Sequence, residues 1–237
     1  MENPGLNKLG ELARERSGAV ATYSGVAMKE VLLLGITAAS IGVTWYFGYA
    51  MPTTTVVAGI MGLITCLVIC AKPDWSATLA PLYAILEGMF LACITAVSEA
   101  YYPGIVFEAV LMTMGIAFGA AFVYSRGLVK VDNNFVRVVS VMIVGFLFCV
   151  IGRVVLSYFF GVDFSFLDHG VVGIAVNVGV LLLATACLFI DYEQINQAVS
   201  GGLPRDYEWF CAFSLLVSLI WIYIRVLDLL RILREDD

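Results

Sequence analysis

Apolar residues fall into seven long runs, 31–50, 55–71, 79–97, 105–124, 138–160, 173–190 and 209–233, each followed by a polar break. About 20 helical residues cross the hydrocarbon core of a bilayer, and the runs are close to that length. A transmembrane barrel would instead alternate apolar and polar positions in shorter segments. The pattern predicts an all-α integral membrane protein of seven transmembrane helices. The expected organisation is a polar cytoplasmic tail (1–30), a seven-helix membrane domain (31–233) and a short charged tail (234–237). The breaks carry turn residues: Pro52 with three threonines, Lys72-Pro73-Asp74-Trp75, Pro103-Gly104, and Ser200-Gly201-Gly202 before Pro204.

Composition agrees with this reading. The 237 residues are 61% hydrophobic and 14% charged, with mean hydropathy +0.95, well beyond a soluble domain. The net charge of −6 argues against a nucleic-acid partner. With the N-terminus in the cytoplasm, the inner segments hold Lys8, Arg14, Arg16, Lys29, Lys72, Arg126, Lys130, Arg137 and Arg205, and the outer loops hold no lysine or arginine. Seven crossings then leave Arg231 and Arg234 outside, so the last run is either a true span, which its length favours, or a partly re-entrant hairpin. Cys66, Cys70, Cys93, Cys149, Cys187 and Cys211 lie in apolar runs without ligand-like spacing and read as small buried hydrophobes. Gly115 and Gly119 form a GxxxG spacing that lets a neighbouring helix approach.

Ionisable residues inside such runs are costly in lipid and persist where they face protein or water. Asp191, Arg225 and Asp228 are the first suspects, with Glu87 and Glu193 beside them. At about 1.5 Å of rise per residue, Glu87 and Asp191 each lie roughly 12 Å from the inner end of their helices, which makes them an expected inner acidic pair. Both are weak calcium candidates, and Asn177 and Asn196 could add oxygens to an incomplete set. Glu99, Glu108 and Arg153 fall near the outer end, where a Glu–Arg pair reads as a structural clasp. Asp163 and Asp168 flank an outer loop with the lone His169 and could draw cations to the mouth. Asp228 shares a helix face with Arg225, so the two can pair within one helix.

Three blocks carry a resemblance: the run from Leu79 through Pro81 and Tyr83 to Glu87-Gly88; Tyr102-Pro103-Gly104-Ile105-Val106; and Glu208-Trp209-Phe210-Cys211-Ala212-Phe213 leading to Trp221-Ile222-Tyr223-Ile224. Together they resemble the Bax inhibitor-1 family in its bacterial, YccA-like branch, over roughly 20–233. The resemblance implies seven helices with the last one central, and a slow, pH-sensitive calcium leak in the inner membrane. It also implies a gate in which two aspartates on the last two helices share a proton. One matches Asp191. The other falls on Arg225, an arginine where the sensor has a carboxylate. Two adjacent carboxylates share a proton, whereas a carboxylate beside arginine stays charged. Arg225 against Asp191 would be a fixed lock; otherwise Asp191 could share its proton with Glu87 or Asp228.

Two functions follow. One is a cation pathway with no cofactor beyond weakly bound Ca2+, its partners being membrane lipid and calcium or other cations. The other, implied by the same resemblance, is a non-transporting regulator that restrains a membrane-bound AAA protease through the tail, residues 1–16. Catalysis is not expected, because no HExxH, serine elbow or Walker loop is present.

Overall fold

The computed structural model describes residues 20–164 and 170–235. Among the described residues there are seven α-helices: α1 (Tyr23–Tyr46), α2 (Pro52–Ala71), α3 (Ser76–Tyr101), α4 (Ile105–Ser125), α5 (Asn133–Phe160), α6 (Gly170–Ser200) and α7 (Tyr207–Glu235). A short 3-10 turn, Pro73–Trp75, leads into α3. All seven helices are long and apolar enough to span a membrane.

Local chemistry places the ends outside the apolar runs. Thr22 is extended, and its hydroxyl accepts from the Gly25 amide at 3.0 Å, so α1 starts at Tyr23, well ahead of the apolar run that opens at 31. Lys29 and Glu30 are therefore helical residues. Asp132 caps α5 in the same way, accepting from the Phe135 amide at 2.7 Å, and draws Arg137 into that helix. The Ser-Gly-Gly stop ends α6 at Ser200. Gly202 takes φ +64°, open to glycine at no steric cost, and Leu203 N–H returns to the Ala198 carbonyl at 3.0 Å.

The chain divides into two units. The described residues of the first lie within Met1–Ala100 and Asp191–Val217, and those of the second within Tyr101–Ile190 and Ser218–Asp237. α6 and α7 thus contribute residues to both. α7 is the most enclosed helix: 61% of its most apolar window is buried, against 39% for the α3 segment and 6% for α5, whose Phe148, Val154 and Phe159 are exposed.

In lipid, small residues and interhelical hydrogen bonds hold helices together. In the first unit α1 meets α3 at Gly88, where a Cβ would lie 2.6 Å from the Thr37 carbonyl oxygen and 2.6 Å from Ser40 Cβ. Ser40 Oγ donates to the Ile85 carbonyl at 2.8 Å, and Trp45 Nε1 donates to the Ala92 carbonyl at 2.7 Å. Gly115 and Gly119 do not serve this purpose: both face open space, so the close approach occurs at Gly88 instead. The cysteines also depart from expectation. Cys211 alone is buried; Cys70 and Cys149 are exposed, since a helix with a lipid face buries only one side of its apolar residues.

Candidate functional site

The site in the first unit is built on a clasp between the start of α1 and the α6–α7 turn. Val20 bridges to Pro204, and Ala21 N–H donates to the Leu203 carbonyl at 2.8 Å. Tyr23 OH donates to Asn196 Oδ1 at 2.8 Å. Glu208, in the first turn of α7, has a side chain only 1% exposed and collects the donors around it. It accepts from Lys29 Nζ, from Thr22 N at 2.9 Å and from Thr22 Oγ1 at 3.1 Å, with Arg205 Nε at 3.9 Å. Gly25 leaves room for this carboxylate, which a Cβ would strike. Lys29 also lies over the Trp209 ring, 5.4 Å from its centroid.

The clasp fixes three helices in register. Glu30 lies about two turns into α1, Ser214 about two turns into α7, and Asp191 about two and a half turns before the end of α6. Ser214 Oγ donates to Asp191 Oδ1. Glu30 lies within electrostatic range of Asp191, and both of its carboxylate oxygens are buried with no hydrogen-bond partner. Asp191 and Glu30 are 6% and 8% exposed. Tyr192 lies within range of both.

Glu87 is elsewhere. Tyr83, one turn earlier on α3, hydrogen-bonds to it, and Cys66 of α2 is in range, with Cys70 beside Cys66. A Cβ on Gly62 of α2 would lie 3.3 Å from the Glu87 carboxylate. Tyr83 is held in turn by edge contact with Phe213, centroids 5.0 Å apart. Glu30 is thus an acidic neighbour of Asp191, and Glu87 is turned towards α2. Glu193 accepts from Gln197 at 2.9 Å along its own helix. Among the described residues, no group of three or more His, Cys, Asp or Glu is placed to hold a metal ion.

In the second unit Arg225 pairs with Asp228 at 2.9 Å, one turn apart on α7, and Arg231 approaches the same aspartate at 4.0 Å. Glu108 accepts from Arg234 at 2.8 Å, and Arg153 lines a cavity between α5, α6 and α7. Arg234 also reaches the Pro103 carbonyl at 3.4 Å, tying the end of α7 to the turn before α4. Glu99 is half-buried near the end of α3, and Asp163 is exposed after α5. Asp168 and His169 lie outside the described residues.

The sequence reading missed Glu30, Lys29, Ser214 and Glu208. A signal existed for Glu30: Val26, Glu30, Leu33, Thr37 and Thr44 are buried at steps of three, four and seven, one face of a helix. No curated protein and no solved structure matches the chain. The family model described as Bax inhibitor 1 like matches residues 3–235, nearly the whole length. With seven helices apolar enough to span a bilayer, this is an integral membrane protein, and it belongs to the Bax inhibitor 1 like family.

Proposed function

We propose that the protein is a pH-sensitive cation leak, carrying calcium among its ions, with Glu30 and Asp191 as its intramembrane carboxylate site. The bacterial inner membrane, with the N-terminus cytoplasmic, is its expected place. One observation carries the reading: the Glu30 carboxylate is buried, without a hydrogen-bond partner, and within range of a second buried carboxylate. Two negative charges removed from water repel and require a proton or a cation between them. Lys29, the neighbour of Glu30 on α1, is engaged with Glu208. Ser214 gives Asp191 a neutral donor, which orients the carboxylate without balancing its charge. Competition between proton and cation for one pair makes the flux respond to pH. The role that the family resemblance assigns to a second aspartate, at the position of Arg225, passes in this chain to Glu30.

The test is calcium entry into proteoliposomes across acidic to neutral pH. The wild type leaks, and Asp191→Asn and Glu30→Gln each alter the rate and flatten its pH response. Flux no greater than in empty liposomes removes the reading; a pH response that survives Glu30→Gln removes Glu30 from it. A second reading is favoured by the clasp at Val20–Pro204 and Ala21–Leu203, which follows in sequence the tail that lies outside the described residues. A membrane-bound AAA protease gripping the tail would load the clasp, and deleting residues 1–16 would abolish that inhibition while sparing flux.

A further inference from the structure

The first unit holds a second polar cluster that the acidic pair does not use. Cys66 and Cys70 lie four residues apart on one face of α2; Cys66 is half-buried and Cys70 is exposed. Their thiols are within hydrogen-bonding reach of each other. The Tyr83 hydroxyl, which hydrogen-bonds to Glu87, lies within electrostatic range of both sulfurs. At about 1.5 Å of rise per residue, Cys70 and Cys66 lie about 2 Å and 8 Å from the end of α2 at Ala71. Both are thus close to the level where Lys72 returns the chain to polar residues, within reach of a solute from that side. Geometry separates two uses of such a pair. Residues four apart on a helix hold their Cβ atoms about 5–6 Å apart. A disulfide needs about 3.5–4.5 Å, so the helix opposes one. An ion held between the two sulfurs tolerates the wider spacing.

We propose that Cys66 and Cys70 chelate a soft monovalent cation, cuprous copper, on this face of α2. Thiolates select soft ions over calcium and magnesium, which take oxygen ligands. Structural zinc takes four ligands. Among the described residues, no group of three or more His, Cys, Asp or Glu is placed to hold an ion, so the pair suits an ion that two sulfurs satisfy. On binding, two sulfur–copper bonds form, each thiol gives its proton to the buffer, and the copper stays in the +1 state. Two thiolates and one monovalent ion leave a single negative charge. Lys72, two residues beyond Cys70 and held 4.7 Å from the Trp75 ring centroid, brings positive charge to the same helix end.

The probe is copper(I), kept reduced by ascorbate and offered to the purified full chain in micelles against the chelator bathocuproine disulfonate. Wild type holds one copper per chain, and X-ray absorption finds two sulfur neighbours around it. Cys66→Ala and Cys70→Ala each weaken retention at least about tenfold, as loss of one of two ligands does. Cys149→Ala, at an exposed cysteine on α5, binds as wild type. Thermal midpoints without copper identify which variants are folded, and exposed Cys70 supplies one that disturbs no buried side chain. No copper held by wild type, or a folded Cys70→Ala protein that binds as wild type, would overturn the proposal. So would equal loss in Cys149→Ala, a copper shell of oxygen or nitrogen, or zinc held as firmly as copper. Because the readout is bound metal, none of these outcomes depends on whether the protein leaks calcium.

Discussion

Replacing Glu208 by alanine tests whether the clasp holds the first unit together. The carboxylate is 1% exposed and Lys29 is 14% exposed, so the pair is largely withdrawn from water. Breaking a buried pair by removing one partner costs about 3–5 kcal/mol, because the remaining charge is left uncompensated. Thr22 N–H also loses its acceptor, but Thr22 is exposed, and water replaces most of that bond. The expected destabilisation for Glu208→Ala is therefore about 3–5 kcal/mol. Lys29→Met should cost less, since the carboxylate keeps both Thr22 bonds and has Arg205 at 3.9 Å. The double variant Lys29→Met/Glu208→Met should recover much of the loss, as apolar replacements of buried pairs do.

The assay is reversible denaturation in mixed micelles, read by tryptophan fluorescence, with wild type, Lys29→Met, Glu208→Met and the Lys29→Met/Glu208→Met variant forming a double-mutant cycle. A coupling energy of about 2 kcal/mol or more supports the clasp. Additive single effects, or a Glu208→Ala protein within about 1 kcal/mol of wild type, would refute it.

Two further outcomes follow from packing and exposure. Gly88→Leu forces a side chain into the Thr37 backbone and should destabilise the α1–α3 contact by at least about 1–3 kcal/mol, measured by the same denaturation, whereas Gly115→Leu, facing open space, should stay near wild type. Arg234→Gln should change stability by less than about 1 kcal/mol despite its 2.8 Å bond to Glu108, because side-chain exposures of 31% and 46% leave the pair screened by water.

The number of helices was legible because lipid selects length and apolarity, and both are plain in the chain. The ends were not, because Thr22 and Asp132 cap their helices from within polar text that reads as loop. The inner acidic pair shows a different limit. Counting rise from a helix end gives depth but not direction around the axis. Glu87 was placed near the level of Asp191, but its side chain turns to Tyr83 and Cys66. Glu30 was hidden because it sits at the edge of an apolar window, where averaging assigns it to the tail; its spacing from Val26, Leu33 and Thr37 places it on the buried face. Ser214 left no trace, since a single hydroxyl in an apolar helix most often bonds to its own backbone, as Thr37, Thr95 and Thr113 do here. Glu108 pairs with Arg234, which comes from the charged end of α7.

Lys29 and Glu30 are neighbours on α1, and consecutive residues on a helix point about 100° apart. One reaches Glu208 at the start of α7, and the other comes within range of Asp191 on α6. The structural ion pair and the carboxylate pair therefore hang on the same half-turn of backbone. Turning α1 to relieve repulsion between Glu30 and Asp191 would draw Lys29 away from a carboxylate that has almost no access to water. The clasp thus supplies the opposing force that a repelling acidic pair needs if it is to stay together in lipid. On the proposed function, a cation or proton settling between the two carboxylates would remove the repulsion without any demand on the clasp. On the proposed function, loss of that ion would return the repulsion to the stretch of α1 that Glu208 holds through Lys29.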